Sequence, residues 1–388
     1  MTEAQRRRGL TCVLASMGVI GVNVGLFHPL IALSLEARGH GTTVIGLNAA
    51  TPFIAAILGV PLLPRVVARL GLVRVLILAA VIDIAAVFGF MAVDDAAAWF
   101  VLRFVMGIGM LMHWAGSEIW INAAITDEHR GKIVGLNGAL FSAGMACGPI
   151  VLGTVGTQGP APFLISVAIL AGSGLPFLFA FGCTPAARHE CSTNLRSAVA
   201  RAPTAMLSGL VQGIAVLALF SQLPIWGVRQ GLGEASAVTL LTALVIGGAV
   251  APLPIGWLAD HVNRRLLLIL TGVVLLAMTL ALPLAAGDVV ALWIVLLVWG
   301  GAGSGLYTLA LVRLGEVFRP DQLGAATAAY VMTTHIGSIA GPILLGSGMD
   351  LWGAQGLVLV TVGSMGAFTL FGLWRYLTRP DGRLSAGP

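Results

Sequence analysis

Near-continuous apolar stretches of about 20 residues recur from Leu10 to Leu377, and each is long enough to span a bilayer. Read against Gly, Pro and charge punctuation, they predict twelve helical spans. These lie near residues 10–35, 43–66, 73–93, 97–122, 132–156, 161–183, 203–229, 235–259, 265–286, 288–313, 323–349 and 353–377. The pattern is that of an all-α polytopic membrane protein whose natural solvent is lipid.

Composition agrees. Of the 388 residues 58% are hydrophobic and only 10% are charged, against about 25% charged in an average soluble domain. Soluble enzymes, nucleic-acid readers and disulfide scaffolds are excluded as readings of the whole chain. Cys12, Cys147, Cys183 and Cys191 lack the spacing of a metal or redox site, so no metal, cofactor or disulfide is expected. The amino-terminal apolar run is too long for a signal peptide and lacks a small-residue cleavage site, so it reads as a retained first span.

The net charge of +5 has a topological reading. If the amino terminus is cytoplasmic, the inner loops collect 18 of the 21 Lys and Arg residues, including Arg6–Arg8, Arg65, Arg69, Arg74, Arg130, Lys132, Arg264, Arg265, Arg313, Arg319 and Arg375. The outer loops hold Arg38 and Arg229 beside Glu36, Asp94, Asp95, Glu234, Asp288 and Asp350, and Arg103 stays within the membrane. The positive-inside rule then puts both termini in the cytoplasm of a multi-pass inner (plasma) membrane protein. The longest loop divides the chain into residues 1–183, a cytoplasmic linker at 184–202, and residues 203–388.

The halves are repeats. GKIVGLNGALFSAGMACGPIVLG from Gly131 matches GAATAAYVMTTHIGSIAGPILLG from Gly324, with Gly148-Pro149 and Gly341-Pro342 lying 193 residues apart and Gly144 and Gly337 at the same offset. A second pair, from Pro61 and Pro252, places Arg74 on Arg265. Two parallel six-span repeats with a substrate site at their midplane interface are the architecture of many secondary transporters.

Three motifs carry a more specific likeness. GWLADHVNRR, with Gly256, Asp260, Arg264 and Arg265, resembles the loop motif of the major facilitator superfamily; the first-half copy has Arg69 where the aspartate should stand. LRFVMGIG from Leu102 resembles that family's fourth-span motif. Gly135, Gly144, Gly148-Pro149 and Gly153 resemble its fifth-span antiporter pattern, with Leu152 in place of a glycine. Trp114 to Glu118, the following HRGK and GLYTLALVRLGE together resemble the YcaD-type branch. The resemblance implies the major facilitator fold, two six-helix bundles, and a monomer working by alternating access, with Asp260 as a conformational latch.

An ionised side chain at the bilayer centre costs about 2.5–3.5 kcal/mol on insertion scales, so each one is a candidate. At 100° per residue, Gly107, Met110, Trp114 and Glu118 stay within about 60° of the Arg103 direction, with His113 at the edge. This stripe either faces a transport cavity, as the fourth span does in the resembled family, or holds structural ion pairs. Arg103 and Glu118 are about 22 Å apart along the axis, so each needs its own partner; for Glu118 that partner could be Arg65, Arg69 or Arg74. The resemblance adds Asn23, His28, Gln212, Gln222, Trp299 and Tyr307, because spans one, four, seven and ten line the pore in similar proteins. Tyr330 and His335 read as wall, and Arg313 and Glu316 as partners of the Asp260 loop. Asp83 either pairs with a neighbouring base or is protonated.

The expectation is a secondary active transporter, not an enzyme, that moves a small organic solute. Proton-coupled export is expected, with Arg103 and Glu118 carrying ligand or proton. A proton-coupled uptake symporter and a polytopic membrane enzyme built on His113, Glu118, Asn122 and His129 are the alternatives. Lipid, solute and protons are the expected partners, with no nucleic acid.

Overall fold

The computed structural model describes residues 2–125, 130–183 and 199–378. Most of the expected linker, His129, and the residues from 379 onward lie outside them. Among the described residues, twelve helices are long and apolar enough to cross a membrane: α1 (Glu3–Ala37), α2 (Thr42–Gly59), α3 (Leu72–Ala92), α4 (Ala96–Ala124), α5 (Lys132–Val155), α6 (Ala161–Leu178), α7 (Pro203–Arg229), α8 (Glu234–His261), α9 (Arg264–Ala285), α10 (Val289–Val317), α11 (Gln322–Trp352) and α12 (Gln355–Thr378). They form two six-helix bundles, α1–α6 and α7–α12.

Local chemistry sets several of the ends. Asp95 caps α4 through the Ala98 amide, Asn263 caps α9, and Asp288 caps α10, satisfying amides that the helix itself leaves without acceptors. The second expected span, 43–66, is shorter than anticipated. It ends at Gly59, and a separate helix, Leu63–Leu70, starts with Pro64 in its first turn. Proline fits there because the first-turn N–H has no acceptor to lose. α7 is also interrupted, by a π-turn at Gly213–Leu217.

Glycine sets the crossings within each bundle. A Cβ on Gly21 or Gly25 of α1 would overlap the Phe141 or Met145 carbonyl of α5, and one on Gly144 or Gly148 of α5 would strike the α1 backbone at Gly18, Val22 or Leu26. The second half repeats the device: Gly213 of α7 lies on the Thr334 carbonyl, and Gly337 and Gly341 of α11 lie on the Leu210 and Ile214 carbonyls. The residues duplicated in sequence make the duplicated backbone contact, which van der Waals packing rewards where lipid supplies no hydrophobic drive. Gly135 of the fifth-span pattern and Gly256 of the loop motif do not take part. A Cβ at Gly135 or at Gly256 would meet open space.

The ties between the halves gather at the opposite end, the face carrying Arg38, Arg229 and Asp350. There Gly46 of α2 packs on the Pro342 carbonyl and Gly346 of α11 on that of Thr42. Asp350 accepts from the amides of Thr42 and Thr43, both at 2.8 Å, and from the Thr42 hydroxyl at 2.6 Å. Arg229 pairs with Glu36 at 2.9 Å, Thr157 donates to Glu234 at 2.7 Å, and Thr242 of α8 donates to the Ala146 carbonyl of α5 at 3.0 Å. Toward the basic face, Gly138 of α5, Gly315 of α10 and Gly324 of α11 meet nothing. Among the described residues, the molecule is closed at its acidic face and open at its basic face.

Candidate functional site

The upper part of the α4 stripe lies inside the first bundle. Arg103, only 3% exposed, donates from Nη2 to His28 Nδ1 of α1 at 3.2 Å, and its guanidinium sits 5.8 Å from the Phe27 ring centre. Because a guanidinium has no lone pair to offer, His28 Nδ1 is the acceptor and the ring carries its proton on Nε2. Asn23, one turn and a half earlier on α1, accepts from Ser166 of α6 at 2.6 Å. His113 is buried and lies 2.9 Å from the Ser16 hydroxyl, which gives its own proton to the Ser173 carbonyl at 2.6 Å. His113 therefore donates from Nε2, and its Nδ1 is left as an acceptor without a partner.

Arg103, His28, Asn23 and His113 line one narrow cavity of about 40 Å³ inside the first bundle, together with Asp83 of α3, Pro52 of α2 and Phe141 of α5. That is room for on the order of two or three waters. Gly109 makes the geometry possible, since a Cβ there would fall on Oδ1 of Asp83. The fourth-span glycines thus have separate duties: Gly107 lets α4 approach Pro52, and Gly109 admits a carboxyl from α3.

Lower on the stripe the side chains are bare. Trp114 is 40% exposed, with its ring set edge-on to Phe141 at 4.8 Å, and Glu118 is exposed one turn further on. Glu118 makes no ion pair with Arg65, Arg69 or Arg74; Arg69 and Arg74 are exposed on the basic face. Tyr307, 40% exposed, stands edge-on to Tyr330 at 5.6 Å, and Tyr330 donates to Gln212 of α7 at 3.0 Å. Gln212 in turn donates to the Gly303 carbonyl at 3.3 Å. Trp114 and Glu118 of α4 and Tyr307 of α10 are the exposed members of the candidate set.

Two expected cavity residues are elsewhere. Trp299 is fully buried and donates to Thr279 of α9 at 2.9 Å, inside the second bundle. Gln222 is buried in the seam between the halves, 3.4 Å from the Thr42 and Pro342 carbonyls. His335 sits edge-on to Phe53 across that seam, its Nδ1 on the Val331 carbonyl at 2.8 Å. At the basic face, Arg264 bridges Glu316 at 2.8 Å and Asp260 at 3.5 Å, and Glu316 holds Arg313 at 2.6 Å. Arg265 turns to α12, where it donates to the Arg375 carbonyl and lies 5.6 Å from the Tyr376 ring centre. The loop motif therefore binds parts of the second bundle to one another in this arrangement.

Comparison with known proteins gives a consistent result. The family model of the Major Facilitator Superfamily matches residues 13–244 and 206–387. The uncharacterized MFS-type transporter YfkF of Bacillus subtilis (strain 168) is 26% identical over 340 residues, covering 84% of this chain and 85% of that one. The uncharacterized MFS-type transporter YcaD of Escherichia coli is 26% identical over 339 residues, covering 86% and 87%. Among solved structures, a bacterial homolog of the human lysosomal transporter Spinster, in an inward-facing and unoccupied conformation, superposes with a TM-score of 0.79 at 12% identity, covering 97% of this chain and 98% of that one. The nucleoside transporter NupG gives 0.77 at 14% identity, covering 96% and 99%. Twelve spanning helices in two duplicated bundles, the three motifs and these matches together show that the chain belongs to the major facilitator superfamily.

Proposed function

We propose that the protein exports a small organic solute across the inner membrane in exchange for protons, by alternating access. One observation carries this reading: among the described residues the halves are tied at the acidic face and apart at the basic face, with Trp114, Glu118 and Tyr307 exposed. With the basic face in the cytoplasm, this arrangement is inward-open and ready to load solute. Outward opening would break the Asp350, Arg229 and Thr157 ties and close the basic face, with the Asp260 loop as its latch. Glu118 and the two aromatic rings would hold the solute, while the fifth-span glycines support the export direction by likeness to family antiporters.

Orientation is tested first. In a background without native cysteines, a single cysteine at Ala96 should react with an impermeant thiol reagent in intact cells, and one at Ser192 should not. The reverse pattern would turn the molecule over and make this arrangement outward-open. Transport is tested with purified protein in proteoliposomes, by following a pH-sensitive internal dye against a compound panel. For a compound that moves protons, Glu118→Gln should weaken binding in detergent by about 10- to 100-fold, the size of a lost charge-assisted contact. Unchanged binding would remove Glu118 from the solute site.

A further inference from the structure

The cavity beside Arg103 holds more polar groups than the protein satisfies. Oδ1 of Asp83, Nε of Arg103 and Nδ1 of His113 are all fully buried without a hydrogen-bond partner, and all three residues line the same cavity. One is a donor, one an acceptor, and the third a carboxyl oxygen. Three such vacancies converging on one space sized for water describe a hydrated pocket near the middle of the bilayer. Asp83 is only 3% exposed and makes neither an ion pair nor a hydrogen bond, so its charge is unopposed by any direct contact.

The groups around it are few. α4 presents Arg103 and His113, and α1 presents His28, already bonded to Arg103. α6, packed on the other side of α3, has no titratable residue along Ala161–Leu178. An unpaired carboxylate costs too much in such a place, whereas a carboxyl holding a proton does not. Met110, Trp114 and Phe141 also line the cavity, and Trp114 is 40% exposed, so the wall on that side reaches the protein surface.

We propose that Asp83 is the proton-binding group of this transporter, distinct from the solute-facing Glu118. A proton passes from water to an Asp83 carboxyl oxygen in the outward-open arrangement, is carried through closure of the acidic face, and leaves to a cavity water in the inward-open one; one O–H bond forms as another breaks, and nothing else is consumed. The charge state of Asp83 biases the two arrangements, because a carboxylate beside Arg103 favours whichever packing brings the two together. This inference rests on the proton-coupled reading above.

The test needs no solute. Spin labels at Ala161→Cys and Val290→Cys, which stand on the two bundles at the acidic face, report opening of that face in lipid. In the parent protein, the ratio of the two arrangements should change by about tenfold or more between acid and alkaline pH. Asp83→Asn should abolish that dependence and remove a buried-carboxyl stretch from the infrared spectrum, whereas Glu118→Gln should keep both. A pH response that survives Asp83→Asn overturns the inference but leaves proton coupling standing. A parent protein with neither a pH response nor proton movement in liposomes overturns both. Should Asp83→Asn not fold, Gly109→Ala supplies the second arm: its methyl falls on the Asp83 carboxyl and should shift the midpoint of the response, and an unmoved midpoint overturns the proposal.

Discussion

Gly148→Leu and Gly341→Leu are each expected to leave no monodisperse protein after detergent extraction. Both glycines sit where one helix backbone rests on another, Gly148 on α1 at Val22 and Leu26, and Gly341 on α7 at Ile214. A side chain cannot turn aside from a carbonyl of a helix it already touches, so the helices must separate along the whole crossing. Ordinary overpacking costs about 1–3 kcal/mol, and Gly→Ala at either site should fall in that range as a lowered melting temperature. Leucine has several times the volume to place and should exceed it. Gly135→Leu and Gly138→Leu are the controls, since a Cβ at either meets open space, and both should extract and elute like the parent. Size-exclusion profiles of fluorescent fusions measure all of these, and a parent-like profile for Gly148→Leu would show that the α1–α5 crossing is not fixed by close backbone contact.

Those glycines were legible in the sequence because duplication marks them: a contact made twice by one ancestral unit leaves the same letters at one offset. The twelve spans were legible for an equally local reason, since length and apolarity decide what can cross a bilayer. The α4 stripe was read from helical period alone; in the fold Arg103 and Trp114 line one cavity inside the first bundle, and Glu118 is exposed. What sequence could not give was helix rotation. Trp299 and Tyr307 are eight residues apart, about 80° around the axis, so one helix cannot turn both squarely to the gap; packing against Thr279 decides that Trp299 points away. Gln212 and Gln222 flank the π-turn at Gly213–Leu217, and such a turn breaks the angular count that links them. Asp83 was ambiguous for another reason. Its place depends on a side chain that is absent, at Gly109 on a neighbouring helix, and no pattern within α3 records it.

Asp350→Ala should shift the molecule toward opening at its acidic face, by about 10- to 100-fold in the ratio of the two arrangements. α2 begins at Thr42 behind Gly41, which has no side chain to cap it, and no cap is supplied from within the first bundle. The Asp350 carboxylate of α11 serves instead, accepting two amides and a hydroxyl at 2.6–2.8 Å. It also meets the positive end of the α2 dipole. A charge-assisted bond is worth about 1.5–3 kcal/mol, and this one exists only while the halves touch, so its loss falls on one arrangement alone. Water can cap α2 once the face opens, which is why the folded protein should survive the change. Asp350→Asn, which keeps one acceptor oxygen and no charge, should shift the ratio less than alanine. Asp260 supplies the opposite sign: it bonds Arg264 in its own loop here and ties nothing across the open basic face. If it latches that face when closed, Asp260→Asn weakens the other arrangement and moves the ratio toward the one described. The Ala161 and Val290 spin-label pair reads both, as a longer distance for Asp350→Ala and an unchanged or more uniformly short one for Asp260→Asn. Shifts in the same direction for both variants would mean that the two carboxylates do not hold opposite gates.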